Sequence, residues 1–119
     1  MTAPDDTRRA PRRAVPDMVP VTDTMTGQVI GRLGNISETG MLLVASAPLT
    51  EAALYQVAFH LDNPLAQDID IEVGTHLLWL QPTNTPGQSW SGFRFLNLSE
   101  ADRNALRGWV GDVDDVPRR

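Results

Sequence analysis

Ile69, Ile71 and Val73 alternate strictly with Asp68, Asp70 and Glu72, and Val57, Phe59 and Leu61 alternate with Ala58 and His60. A period of two is the repeat of an extended strand with one face buried and the other wet. From Met18 onward the chain continues in the same manner, as short apolar runs broken by turn residues. Strands are predicted near 18–25, 28–36, 40–46, 54–61, 68–81 and 90–97. Thr26-Gly27, Asp62-Asn63-Pro64 and the stretch from Pro82 to Gly87 supply the turns. Gly74 interrupts the fifth strand pattern, where a bulge is expected.

The last element has a different period. Ser99 is a good helix N-cap, and Glu100 and Asp102 sit in the first turn, where the helix dipole favours acids. Leu98, Ala105, Leu106, Trp109 and Val110 make an apolar stripe, Arg103 and Arg107 are expected to face outward, and Gly111 is the expected stop. The fold class is therefore all-β with a terminal helix: six antiparallel strands closed into a small barrel, the helix lying across one opening.

Composition narrows the function. The 119 residues suit one domain, and the absence of cysteine excludes a disulfide framework and any thiolate nucleophile or metal site. No apolar stretch is long enough to span a membrane or to form a signal peptide, so a soluble, cytoplasmic protein is expected. Residues 14–117 hold four arginines against thirteen acids, a balance of −9. An acidic body argues against general nucleic-acid binding and favours a local pocket for a small anion. With two histidines, no cysteine and no nucleophile elbow or phosphate loop, neither catalysis nor a metal site is expected. Trp90 and Trp109 are assigned to packing, and His60 and His76 read as isolated.

Two polar motifs remain. Arg8, Arg9, Arg12 and Arg13 form a basic island in a proline-punctuated segment, residues 1–16, that carries too little apolar surface to repay ordering. Asn35-Ile36-Ser37-Glu38-Thr39-Gly40 begins 22 residues after Arg13 and precedes an apolar strand, Met41 to Val44. Arginines spaced by three residues, then Asn-x-Ser-x-x-Gly, in front of a barrel that ends Gly92-Phe93-Arg94-Phe95-Leu96-Asn97-Leu98-Ser99, resemble the PilZ domain, a bacterial receptor module for cyclic di-GMP. The resemblance covers nearly the whole chain. Arg9 and Arg13 fit the first motif with Arg8 as the extra preceding arginine; the Arg8/Arg12 register also satisfies the spacing, and the role of Arg12 is open.

The resemblance implies a PilZ-type barrel at 17–113, a flexible arginine-rich arm at 1–16 and a tail at 114–119. It implies a ligand, cyclic di-GMP, held by Arg8, Arg9, Arg13, Asn35, Ser37 and Gly40, with Trp79 stacking on a guanine and no cofactor. The chemistry agrees with those residue types, because a guanidinium forks onto guanine O6/N7, pairs with phosphate and stacks on a purine. Asn35 has a donor and an acceptor for a guanine edge, Ser37 has a hydroxyl to donate, and Gly40 removes a Cβ where the chain turns. The implied mechanism is an arm that orders over the dinucleotide and signals to an unidentified target protein. No nucleic-acid or membrane partner is expected, and the protein should be a monomer or weak homodimer. Two rival readings share the barrel: a PilZ-like adaptor that works through protein contacts without nucleotide, and a small barrel that binds single-stranded nucleic acid, which the −9 body opposes.

Overall fold

The computed structural model describes residues 11–15, 18–63 and 66–115. Its elements are β1 (Arg13–Ala14), β2 (Pro20–Asp23), β3 (Gln28–Ile36), β4 (Gly40–Ala45), β5 (Leu54–Leu61), β6 (Ile69–Pro82), β7 (Ser89–Phe95) and α1 (Glu100–Asp115). The strand order is β1-β3-β2-β5-β6-β7-β4, all antiparallel, and a further β3–β4 pairing closes the ring. Strands β2 to β7 thus form a closed six-stranded barrel, with β1 as an added strand and α1 at the C-terminal end. The predicted strands 28–36 and 54–61 coincide with β3 and β5, and the others differ by one or two residues at their ends.

The alternation that predicts β5 and β6 also pairs them. Val57 faces Val73, Phe59 faces Ile71 and Leu61 faces Ile69 across the ladder, and all six are buried. Cross-strand contacts of this kind hold the two longest alternating segments in register, since a one-residue slip would turn every one of these side chains to solvent. Asp23 shapes the first hairpin: its Oδ1 accepts the Met25 amide at 2.9 Å, and its carbonyl accepts the Gly27 amide at 2.7 Å, with Gly27 at φ 77°.

Four details depart from the sequence expectation. First, a short strand that was not predicted lies within the arginine segment, ahead of the barrel. Arg13 and Ala14 pair with Ile36 and Asn35 on the half of β3 that β2 leaves free, and Val15 is buried. That one buried valine gives the end of the arginine segment the apolar anchor its composition otherwise lacks. Second, Gly74 pairs regularly with Gln56 and marks no bulge; the bulges lie at Val21/Thr22, Leu33/Asn35 and Leu77/Trp79. Third, α1 runs past Gly111 to Asp115. A glycine permits a left-handed stop but does not force one, and Gly111 does not take positive φ. Fourth, Arg103 and Arg107 do not simply face solvent but reach Glu38.

The start of α1 is as expected: Ser99 Oγ accepts the Asp102 amide at 3.1 Å, an N-cap to the third helical residue. Leu106, Trp109 and Val110 are buried against the core, and Trp109 Nε1 donates to the Asp62 carbonyl at 3.0 Å. Asp62 follows β5, just as Ser37 follows β3, so the helix covers the barrel end where the second motif lies. Among the described residues, no helix is long and apolar enough to cross a membrane.

At Gly31 β3 and β4 approach closely, since a Cβ there would sit 2.4 Å from the Val44 carbonyl oxygen and 2.8 Å from Ala45 Cα. Gly31→Ala is expected to destabilise the fold by about 1–3 kcal/mol through overpacking against backbone. Urea unfolding monitored by circular dichroism measures this, and an unchanged midpoint would show that the ladder yields.

Candidate functional site

The site is built by two bulges in step. Ile36, Met41, Phe93 and Leu77 form one buried row across β3, β4, β7 and β6. The next row along is Asn35, Leu42, Gly92 and Trp79, directly paired strand by strand, and it faces outward. The row after that, Leu33, Leu43, Ser91 and Leu80, turns inward again. On β3 the inward residues Leu33 and Ile36 are three apart, as are Leu77 and Leu80 on β6, because Gly34 and Leu78 are the extra residues of their bulges. Without the first bulge Leu33 would be exposed, and without the second Trp79 would point into the core.

Gly92 completes the row. A Cβ on it would lie 2.3 Å from Trp79 Nε1 and 2.5 Å from Cε2, so the indole rests on the bare glycine backbone, with the residue 40% exposed. At the opposite end of the row, Arg12 Nη1 donates to Asn35 Oδ1 at 2.6 Å. Arg12, Leu78 and Phe93 line two adjoining depressions of about 280 and 250 Å³, one running to Glu38, Arg94 and Arg103, the other to Asn35 and Trp79. A guanidinium, a carboxamide and an exposed indole therefore share one solvent-facing surface.

The second motif forms a tight turn beside this surface. Ser37 is fully buried; its amide donates to the Gly40 carbonyl at 2.9 Å, and its hydroxyl accepts the Thr39 amide at 3.1 Å and lies 3.0 Å from Thr39 Oγ1. Gly40 does not take positive φ; it is glycine because a Cβ would meet the Phe93 carbonyl oxygen at 2.3 Å. Between them Glu38 accepts Arg107 Nη2 at 2.8 Å and Nε at 3.2 Å, with Arg103 at 4.0 Å. The hydrogen bond from Arg107 holds the Glu38 carboxyl below its ordinary range against the opposing effect of its partial burial.

Of the residues proposed from sequence, Asn35 and Trp79 come together on the outer face, and Gly40 lines the adjoining depression. Ser37 shapes the turn from within. Arg13 is placed elsewhere: its side chain faces the helix, where Cζ lies 3.9 Å from the Trp109 ring centroid and Nη1 donates to the Trp109 carbonyl at 2.6 Å. The cation that meets Asn35 on the outer face is its neighbour Arg12. Arg8 and Arg9 lie outside the described residues. Sequence reasoning did not assign Leu78, Gly92 or Arg94 to the site; Trp90, assigned to packing, lies over Gly34 and is 40% exposed. His60 is not isolated either. Its Nδ1 lies 2.6 Å from Asp70, its partner across the ladder, and its Nε2 lies 3.2 Å from both Asp62 and Asp68. The bond to Asp70 is the main reason that its pKa is raised.

A closed six-stranded barrel with an added strand, a terminal helix and two adjoining depressions on its wall defines a small β-barrel module. The chain belongs to the PilZ domain family, whose model matches residues 6–112. Among solved structures it is similar to the Bacillus subtilis inhibitor of motility MotI/DgrA, at 15% identity and a TM-score of 0.75 over 94% of this chain and 53% of that one. It is also similar to YcgR from Escherichia coli in complex with c-di-GMP, at 22% identity and a TM-score of 0.69 over 90% of this chain and 46% of that one. The PilZ domain of YcgR with c-di-GMP matches at 18% identity and a TM-score of 0.66, over 90% of this chain and 91% of that one. The chain thus spans about half the length of the first two. No curated protein matches it in sequence.

The Glu38–Arg107 pair gives a pH dependence of known sign. A depressed carboxyl pKa adds stability that is present above the ordinary value of 4.5 and is lost as pH falls through the folded value. Arg107→Ala should raise the Glu38 pKa and flatten the stability curve below that value, as read by NMR titration of the side-chain carboxyl and by acid unfolding. An unmoved Glu38 titration would exclude the pairing.

Proposed function

We propose that the protein is a cyclic di-GMP receptor that binds its ligand on the outer wall of the barrel, across the row Asn35–Leu42–Gly92–Trp79. The observation that supports this most is the alignment of the two bulges, which sets a stacking surface and a hydrogen-bonding edge at the two ends of one outward row. A guanine lying on the Trp79 indole would direct its edge along the row, past Leu42, toward the Asn35 carboxamide and the Arg12 fork. Arg94 and Arg103 line the neighbouring depression and offer charge to a phosphate. Membership of the PilZ family and likeness to a barrel solved with c-di-GMP support the same ligand.

In this reading Asn35 and Arg12 already touch, so the acceptor and the cation that the ligand needs are in place before it arrives, and little rotamer entropy remains to be lost. Arg8 and Arg9 are further candidate contacts. Gly40 keeps the turn close to β7, and Ser37 holds the turn's shape. The output passes to a target protein, with motility a candidate process given the MotI/DgrA likeness.

Isothermal titration with cyclic di-GMP, against GTP and cyclic di-AMP, tests the proposal. Arg12→Ala should lower affinity by about tenfold or more, the loss of a charge-assisted hydrogen bond. Trp79→Ala should lower it comparably, by the value of one stacked base, about 1–3 kcal/mol. Circular dichroism should stay unchanged in both. Absence of saturable heat in the wild type would instead favour an adaptor that works without nucleotide.

A further inference from the structure

Strand β1 is two residues long, and Arg13, its first residue, parts company with Arg12 just before it. Arg12 turns to the outer face and bonds Asn35, while Arg13 turns to the helix, stacks on the Trp109 ring and bonds the Trp109 carbonyl. The opposed directions follow from the pleat, since consecutive side chains on a paired strand point to opposite sides. Val15, next but one to Arg13, is buried, and its amide donates to the Gly34 carbonyl at 2.9 Å, at the bulge beside Asn35.

From this arrangement we propose that Arg13 is a positioning residue which couples the ligand face to helix α1. The proposal rests on the receptor reading above. Arg13 takes no part in ligand contact. It fixes β1 from behind, so that Arg12 is held over Asn35, and it fixes Trp109 from the side, so that α1 stays seated on the barrel end. Anything that pins Arg12 on the outer face pins the same two-residue strand, and therefore the Arg13–Trp109 contact. Binding and helix docking are then linked, and linkage is reciprocal: a ligand that favours the docked helix must itself bind the docked form more tightly. The helix becomes the element through which occupancy of the wall is felt at the barrel end.

The guanidinium is suited to this role, because it stacks flat on an indole and donates from Nη1 to a carbonyl at once, which an ammonium cannot do in the same geometry. Trp109 is likewise held on two sides, by Arg13 and through its Nε1 by the Asp62 carbonyl. Loss of Arg13 leaves the second hold intact. The helix is then expected to loosen while the fold persists.

The test combines amide hydrogen exchange of helix residues 104–111, with and without cyclic di-GMP, and titration calorimetry, on wild-type protein, Arg13→Ala and Arg13→Lys. In the wild type, ligand should slow helix exchange by about tenfold. In Arg13→Ala, the ligand-free helix should exchange faster, the ligand-induced slowing should vanish, and affinity should fall by about tenfold. Arg13→Lys should recover part of each effect through its remaining cation–π contact. Wild-type affinity in Arg13→Ala, or ligand-induced slowing that survives the substitution, overturns the proposal. So does complete loss of binding with unaltered ligand-free helix exchange, which would make Arg13 a ligand contact. If the wild type binds no cyclic di-GMP, the receptor reading fails separately, and the arm–helix contact is judged on ligand-free exchange: faster in Arg13→Ala supports it, unchanged exchange refutes it.

Discussion

Everything on the outer wall depends on the register between four strands. β3, β4, β7 and β6 are paired so that two bulges, at Gly34 and Leu78, fall beside the same transverse row. A single bulge would shift parity on one side of the row only and would leave either Asn35 or Trp79 without its partner on the wall. With both in place the core keeps its inward leucines on each side of the row, and the wall gains a polar end and an aromatic end. The glycines at the crossing are steric necessities: Gly92 lets the indole lie down, and Gly40 lets β4 approach β7. Packing of the barrel and shape of the candidate site are thus one problem with one solution.

The second motif is held by forces that do not come from the wall. Its serine hydroxyl is spent on the turn itself, and its glutamate is paired with a helix arginine. An exposed ion pair contributes little, but Glu38 is largely covered and grips Arg107 through two nitrogens, the geometry in which such pairs are best defined. The turn, the helix and the end of the arm therefore meet at one end of the barrel, while the candidate ligand surface lies on its side. Trp109 is the common anchor there, touching the arm through its ring and carbonyl and the β5 end through its indole nitrogen.

Much of this was legible in the chain. Alternation over Ile69–Val73 and Val57–Leu61 names the longest ladder and even its inward residues, because the burial period of a half-wet strand is written in every second residue. Ser99 announces the helix by its own chemistry. The bulges were not legible: Leu77-Leu78-Trp79-Leu80 is apolar throughout, so only pairing with β7 decides which of its members point outward, and that decision places Trp79. The choice between Arg12 and Arg13 was equally hidden, since adjacent arginines are identical to any spacing rule and are separated only by the pleat of β1. His60 looked isolated because two of its three aspartates, Asp68 and Asp70, are brought to it by the β5–β6 ladder and the loop beside it, not by proximity along the chain. Gly74 misled for the converse reason, a glycine tolerated in a regular strand and needed for nothing more than room beside Gln56.

Closure of the ring has a further effect on how such a protein behaves when concentrated. Each of the six barrel strands has neighbours on both sides, and among the described strands β1 alone has one partner. Two residues of open ladder are too few to template the growth of another chain's strand, whereas the exposed edge of an open sheet of the same sequence would be a standing invitation to it. The two-residue length of β1 therefore allows an extra strand to be added beside the motif without opening a route to edge-to-edge aggregation.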